Sequence, residues 1–269
     1  MNGTLAILGT GHMGEALLGG LLRSGWARPD QLWCTVRDPE RARVLAETYG
    51  VRADTDSPGA TAAADVLVLA TKPQNLRDLL VDIAPRVTVR HTIVSVAAGI
   101  TTAAIAELVP TGTPIVRVMP NVPVQVDEAM SAIAPGRAAG DEHVRLAEEI
   151  LGHVGRVVHV EERDLDAVTA VSGSGPAYVF LLAEAMIDAG IAVGLPREVA
   201  TELVIQTVVG SATMLRDTGR RPAELREAVS SPGGTTLAAL HVLEQRGLRA
   251  AVLDAVEAAR ARSAELAGG

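Results

Sequence analysis

The sequence predicts an α/β protein in two unlike halves: a parallel sheet covered by helices on both faces, followed by a half made only of helices. Three observations predict it. Short apolar runs alternate with helical segments up to about residue 160, no strand-like run recurs after Glu161, and the chain opens with a strand, a glycine-rich turn and a helix in direct succession. Its 269 residues leave room for two modest domains, each with its own core. The boundary is expected between a first domain of residues 1–161 and a second of residues 162–269.

The opening unit is an apolar run at 4–8, then Gly9-Thr10-Gly11-His12-Met13-Gly14, then an Ala/Leu-rich segment of helical period through Arg23. In this pattern the first glycine allows a tight turn and the second lets a pyrophosphate approach the backbone. The third lets the helix pack on the strand while its first N–H groups face the phosphates. A dinucleotide site is expected here; a merely tight turn is the other reading of three glycines. A second strand is expected at 31–36, and Asp38-Pro39-Glu40 reads as an N-cap with proline at the first helical position, opening a helix to about Thr48. Continuous apolar runs at 66–70, 92–96 and 115–119 are of the kind buried on both sheet faces, with helical segments near 76–84 and 102–108 between them. Two further strands are expected at 130–134 and 157–160, around a helix at 141–152.

Beyond Glu161 five helices are expected, at 165–192, 197–217, 222–228, 235–245 and 248–266, punctuated by Gly194, Gly219, Pro232-Gly233-Gly234 and Gly247. From Val179 to Ala192 the first is apolar nearly all round, which predicts burial on every side. A helical domain of this size has trouble supplying that alone, so a homodimer built on these helices is expected.

Composition excludes several classes. A net charge of -8 and five aromatic residues (Trp26, Trp33, Tyr49, Tyr178, Phe180) provide neither a basic patch nor a stacking platform for nucleic acid. No charged leader precedes an apolar core and cleavage site, so a cytoplasmic protein is expected. The longest uncharged stretch, 167–183, contains Thr169, Ser172, Ser174, two glycines and Pro176, which favours a buried helix over a membrane span. The one cysteine, Cys34, lies in a strand and reads as a small buried apolar residue. No His/Cys cluster has metal-ligand spacing, so no metal is expected.

Several positions point to a site. After the second strand stands Arg37, with Arg41 and Arg43 close behind; an arginine here accommodates the extra phosphate of NADP, while Asp38 serves as helix cap. Of 24 basic residues only Lys72 is lysine, in Ala70-Thr71-Lys72-Pro73 at the carboxyl end of a strand, where ligands of parallel sheets bind. Ala97-Ala98-Gly99 ends the next strand with residues small enough for a flat ring to lie against the backbone. Asn121, between two prolines, either bonds a carboxamide or substrate or belongs to a tight turn. In the helical half, Ser172-Gly173-Ser174-Gly175-Pro176-Ala177 interrupts a helix and marks close backbone approach or a helix crossing. Ser230-Ser231-Pro232-Gly233-Gly234-Thr235-Thr236 brings hydroxyls and N–H groups to a helix amino end, a ready anion site.

Taken together, these motifs resemble pyrroline-5-carboxylate reductase over nearly the whole chain, the last two being the specific ones. The resemblance implies a Rossmann-type domain followed by a helical dimerisation domain, with dimers often arranged in rings and a substrate pocket where helices of two subunits meet. It implies reduction of 1-pyrroline-5-carboxylate to L-proline by NAD(P)H. The family pattern puts the pyrophosphate on Gly9, Thr10, Gly11, His12, Met13 and Gly14, the adenosine phosphate near Arg37, and the nicotinamide side along Ala70, Thr71, Lys72, Pro73, Ala97, Ala98 and Gly99, with Asn121 a further cofactor candidate. The substrate carboxylate falls to Ser231, Gly233, Gly234, Thr235 and Thr236. Thr236 is nearest the ring nitrogen and is the catalytic candidate, and Glu162 is a further substrate contact. The chain departs from the pattern at Val96, where some relatives have cysteine, and at Ala228, where some have asparagine. Another two-domain imine or hydroxyacid reductase, or a non-catalytic NADP-binding protein, would share the glycine loop but not the late carboxylate loop.

Overall fold

The computed structural model describes residues 3–268. The described residues form two compact units, one of residues 3–174 together with 259–268, the other Gly175–Ala258.

The first unit opens with β1 (Leu5–Leu8) and α1 (His12–Arg23), then β2 (Leu32–Thr35) and α2 (Pro39–Tyr49). After them come β3 (Arg52–Asp54), α3 (Ser57–Ala63), β4 (Val66–Leu69), α4 (Pro73–Ile83), β5 (Thr92–Ser95) and the short α5 (Thr102–Ala106). The sheet is completed by β6 (Ile115–Met119), β7 (Ala129–Pro135), α6 (Asp141–Gly152) and β8 (Gly155–His159). Strand order is β3-β2-β1-β4-β5-β6-β7-β8. Every neighbouring pair is parallel except β6 and β7, where Val118 faces Ile133 in antiparallel register. Apart from that pair the sheet is parallel, as expected. Because β6 and β7 are joined without a full crossover helix, the chain turns back beside itself. The expectation also lacked β3 and α3.

The apolar runs bury as expected. All four residues of β1, β2, β4 and β5 are buried. One core lies on the α1, α2 and α6 face, the other on the α3, α4 and α5 face. Each Leu, Ile or Val so buried stabilises the unit by roughly 1.5–3 kcal/mol. Caps fix where helices begin: Asp38 Oδ1 accepts the Glu40 N–H at 3.0 Å, and Thr101 Oγ1 accepts that of Ala104 at 3.1 Å.

After β8 the helix expected at 165–192 is broken. A single turn, α7 (Leu165–Val168), widens into a π-turn at Thr169–Gly173, with the Ser174 N–H donating to the Thr169 carbonyl at 2.8 Å. The terminal helix returns a contact here, Ser263 Oγ donating to Asp166 Oδ1 at 2.7 Å.

The second unit holds α8 (Gly175–Ala192), α9 (Arg197–Asp217), α10 (Pro222–Ala228), α11 (Thr235–Gln245) and most of α12 (Leu248–Gly268). α8 and α9 pack where Gly190 meets Ala200: a Cβ added at Gly190 would lie 3.0 Å from the Ala200 Cβ. Yet no residue of α8 is buried, and Phe180 and Leu181 are 63% and 66% exposed. The burial expected for this helix is therefore not supplied by its own chain. Within the described residues, the helical run Glu162–Ala192 is long and apolar enough to cross a membrane by length and composition.

Candidate functional site

The first unit carries a cleft of about 460 Å³ at the carboxyl ends of β1, β2 and β4. Parallel strands end here together, and the chain must turn sharply into each helix. The Gly9 and Thr10 N–H groups both donate to the Thr35 carbonyl, at 3.0 and 2.8 Å, which folds the glycine loop across the end of β2. Gly9 has φ +81°, and a Cβ there would lie 2.6 Å from the Thr71 Cβ. A Cβ on Gly14 would lie 3.0 Å from Ile7 Cγ2, so this glycine lets α1 close on β1. Gly11 differs: a Cβ there would meet nothing nearer than the Gly9 carbonyl oxygen at 4.0 Å. The loop is thus open where a pyrophosphate would approach. His12, Met13 and Gly14 form the first turn of α1, which has no side-chain cap, so their N–H groups remain available to an anion. These features fit a dinucleotide.

Arg37 and Lys72 line the cleft with Gly9, Thr10, Gly11, Ala70 and Thr71. The three arginines after β2 part company here. Arg41 pairs with Glu15 of α1, and Arg43 pairs with both Glu40 and Glu47 at 2.5 Å on its own helix. Among the described residues Arg37 makes no ion pair, and it alone of the three lines the cleft. Lys72 precedes Pro73 in extended conformation as the N-cap of α4 and makes no ion pair with a described residue either. The cleft is completed by residues that the sequence reading omitted: Thr35, Val36, Thr55 and Ser57 on one side, Asn75, Asp78, Leu79 and Asp82 on the other. The four on α4 recur at helical spacing, away from Leu76, Leu80 and Ile83, which are buried. That spacing was the available signal.

Ala97, Ala98, Gly99 and Asn121 lie at the ends of β5 and β6 and do not line this cleft. Ala97 is buried in the α3–α5 core, while Ala98 is exposed. The Asn121 carboxamide is committed to structure: Nδ2 donates to the carbonyl and hydroxyl of Ser172, each at 3.3 Å, and Oδ1 accepts the Met130 N–H at 2.9 Å. It ties the end of β6 to β7 and to the π-turn. A Cβ on Gly173 would lie 2.5 Å from Met119 Cε, so the close approach expected of this glycine motif is here made by a side chain.

Glu162 also holds structure together. Its two carboxylate oxygens accept the N–H and hydroxyl of Thr102 at 2.7 and 2.8 Å, and Oε1 lies 3.4 Å from the nearly buried Arg117. A carboxylate at the start of α5 satisfies a first-turn N–H and lies beside the cation of Arg117. Glu162, expected as a substrate contact, is thus held in place by Thr102 and Arg117.

In the second unit, Ser231-Pro232-Gly233-Gly234 is a tight turn, with the Gly234 N–H donating to the Ser231 carbonyl at 3.0 Å and Gly233 at φ +70°. Proline followed by a left-handed glycine is the pairing this turn requires. The turn delivers the chain into α11 with Gly234 as N-cap and no side-chain cap, leaving the N–H groups at Thr235 and Thr236 open. Ser230 Oγ donates to the Arg226 carbonyl at 2.7 Å, so the hydroxyls left for a ligand are those of Ser231, Thr235 and Thr236.

Cys34 is fully buried in β2, and burial pushes its thiol up to about 12. It is a core residue, as expected.

Comparison with known proteins adds the family. Residues 162–266 match the family model described as pyrroline-5-carboxylate reductase dimerisation, and residues 4–99 match that of NADP oxidoreductase, coenzyme F420-dependent. The pyrroline-5-carboxylate reductase of Corynebacterium melassecola is 43% identical over 266 residues, 98% of each chain. Among solved structures, that of a pyrroline-5-carboxylate reductase from Coxiella burnetii superposes with a TM-score of 0.92 at 35% identity, covering 99% of both chains. That of the Plasmodium falciparum pyrroline carboxylate reductase with NADP bound gives 0.89 at 29% identity, over 99% of this chain and 98% of that one. On the length and level of these matches, the chain belongs to the pyrroline-5-carboxylate reductase family.

Proposed function

We propose that this chain reduces 1-pyrroline-5-carboxylate to L-proline as a cytoplasmic homodimer, using NADPH in preference to NADH. The observation that carries the reading is the open start of α11, where a Pro-Gly turn presents two N–H groups and three hydroxyls but no basic side chain. Such a site suits a small carboxylate, each charge–dipole contact contributing ~0.3–1 kcal/mol. In this reading Ser231, Gly233, Gly234 and Thr235 hold the carboxylate, and Thr236 stands at the ring nitrogen.

The cofactor is assigned to the first unit. The 9–14 loop and the first turn of α1 hold the pyrophosphate, Arg37 the phosphate of the adenosine ribose, and Ala70, Thr71, Lys72, Pro73, Ala97, Ala98 and Gly99 the nicotinamide side. When bound, the reduced nicotinamide supplies a hydride to the imine carbon. The protein's part is to hold the imine protonated and still. Thr236 Oγ accepts the N–H of the protonated imine, keeping that proton on nitrogen while the C=N bond becomes CH–NH and the positive charge is lost. Positioning of this kind is worth ~7–11 kcal/mol in well-oriented cases.

Turnover is tested by loss of NADPH absorbance with 1-pyrroline-5-carboxylate, with NADH and with a six-membered imine acid as comparators. Rapid turnover of the five-membered substrate is expected. Thr236→Ala is expected to lower kcat by about 100-fold, the scale of a lost transition-state hydrogen bond. Unchanged turnover and affinity in that variant would remove Thr236 from the mechanism. Dimers closing into a ring are the further expectation, read by sedimentation of the wild-type protein.

A further inference from the structure

Two loops at the carboxyl edge of the sheet are held in different ways. The glycine loop is anchored within itself, where the Gly9 and Thr10 N–H groups both donate to the Thr35 carbonyl. The loop between β5 and α5, residues 96–101, has its hydrogen-bonded anchors at its ends. At one end the Val96 N–H donates to the Leu69 carbonyl at 3.0 Å, and from Ala97 to Thr101 no N–H donates to a described residue. At the other end stands Thr102, whose N–H and hydroxyl both go to Glu162. Five successive backbone donors without a protein acceptor do nothing to fix a loop. The stretch from Ala98, which is exposed, to Thr101 therefore takes its position from Thr102.

This downstream anchor comes from far along the chain and from a rigid place. Glu162 follows β8, where the Val160 N–H donates to the Ile133 carbonyl at 3.0 Å, and Leu165 just beyond it is buried with Ala132 and Ala134 of β7. Thr102 is itself buried, and so is Arg117, which donates to Glu162 Oε1 from β6. In so enclosed a place charge-assisted bonds are short and directional. The carboxylate uses both oxygens at once: Oε1 takes the Thr102 N–H and Arg117, and Oε2 the Thr102 hydroxyl. An amide in its place would have one acceptor oxygen and could not serve both donors of Thr102 in this way.

Resting on the reading that Ala97, Ala98 and Gly99 face the nicotinamide, we propose that Glu162 is a positioning residue for hydride transfer. It acts through Thr102, fixing where the 97–101 loop stands against the nicotinamide, and Arg117 keeps its carboxylate turned to that task. Glu162 then needs no contact with the substrate. A displaced loop leaves the cofactor bound, because the pyrophosphate and the adenosine phosphate are assigned to the glycine loop and Arg37, but it misplaces the ring that gives up the hydride. A misplacement of about 1 Å can cost on the order of 100-fold in rate.

The test is steady-state turnover of 1-pyrroline-5-carboxylate by the whole protein, with calorimetric binding of NADPH as the check on folding. Glu162→Gln and Thr102→Val are each expected to lower kcat by about tenfold, with the Kd for NADPH and the KM for the imine acid within about threefold of wild type. The double variant is expected to be within about twofold of the slower single one, because both break the same link. Thr102→Ser keeps the hydroxyl and is expected to keep wild-type kcat. With NADPH deuterated at the transferred position, the slowed variants are expected to show an isotope effect at least as large as that of wild type.

A rise in KM for Glu162→Gln that Thr102→Val does not share would make Glu162 a substrate contact and overturn the proposal. Losses that multiply in the double variant, a smaller isotope effect, or a lowered unfolding midpoint with kcat unchanged would overturn it too. Should Glu162→Gln fail to fold, the Thr102 variants decide: wild-type kcat in Thr102→Val, or loss in Thr102→Ser equal to that in Thr102→Val, removes the link. Folded wild-type protein that binds NADPH without turning over the imine acid overturns the reaction reading itself, and the proposal with it.

Discussion

The first strand of the sheet and the first long helix of the second unit are both almost wholly apolar, yet they end in opposite places. Leu5, Ala6, Ile7 and Leu8 have no exposed surface at all, whereas α8 has no buried residue and leaves Leu182 half exposed. The strand finds both of its covers within its own chain, α1 and α2 on one face and α3 and α4 on the other. The helix packs chiefly on α9. The nucleotide half is thus finished by one chain, while the helical half presents an apolar surface suited to a second copy, in keeping with the dimerisation model that its residues match. A contiguous apolar face of this kind on a monomer marks an interaction surface.

The comparison is most sharply broken by a charge on α8. Leu181→Asp would place a carboxylate in the middle of the proposed interface, and an unpaired buried charge is strongly unfavourable. Dimer dissociation by at least about 100-fold in Kd is expected by sedimentation, ~3 kcal/mol or more, with loss of turnover. NADPH binding by the resulting monomer is expected to persist, because the cleft is lined entirely from the first unit. A folded monomer that had lost NADPH as well would show that the cleft depends on the second copy.

A smaller effect separates the two glycine turns. Gly9 and Gly233 both have left-handed backbones, at φ +81° and +70°. Only Gly9 is also walled in, with the Thr71 Cβ 2.6 Å from where its own Cβ would stand; nothing lies within 4 Å at Gly233. Gly9→Ala is expected to lower unfolding stability by about 3 kcal/mol, backbone strain and overpacking together. Gly233→Ala should lower it by about 1 kcal/mol, strain alone. Denaturant midpoints of the two variants read the difference directly.

How far these features could be read before the fold was known depends on whether their cause is local. The ends of α6, α9, α10 and α11 fall where the sequence puts them, at Asp141–Gly152, Arg197–Asp217, Pro222–Ala228 and Thr235–Gln245. Glycine and proline at their borders act within a residue or two. β3 escaped because Arg-Ala-Asp on a sheet edge has no apolar run to show. The reversal of β7 escaped because side-chain alternation carries no information about strand direction. Arg37 was legible from its position after β2, but its difference from Arg41 was not: Arg41 is held by Glu15, 26 residues away in the chain. The partners of Glu162 were illegible for the same reason, since Thr102 and Arg117 lie 60 and 45 residues upstream.

The Arg37 contrast gives the next prediction. If Arg37 is a free cation of the cleft and Arg41 is held by Glu15, Arg37→Ala should reduce the ratio of NADPH to NADH affinity by about tenfold or more, the loss of a charge-assisted bond to phosphate. Arg41→Ala should change that ratio by no more than about twofold, because its charge is already paired. Equal losses in both variants would mean that the pair with Glu15 opens when the cofactor binds.

The smallest effect belongs to Cys34, and its sign follows from burial. The thiol is pushed up from 9.0 to about 12, first by desolvation, while a hydrogen bond with Thr10 works weakly the other way. Above the ordinary thiol range the unfolded chain ionises and the folded one does not, so the folded state then binds more protons and stability falls as pH rises. The contribution is whole below pH 9.0 and is lost between there and about 12. One unit above the unfolded value, the loss is about 1.4 kcal/mol, and at neutral pH it is nil. Cys34→Ala should therefore flatten the alkaline limb of the stability curve, measured by thermal unfolding across pH. A fully buried thiol also has no route to reagents, so a thiol-reactive dye should modify the native protein only at the rate at which the first unit opens. Rapid modification of native protein at neutral pH would show that β2 is less well covered than β1, and would narrow the difference between the finished half of this chain and the open one.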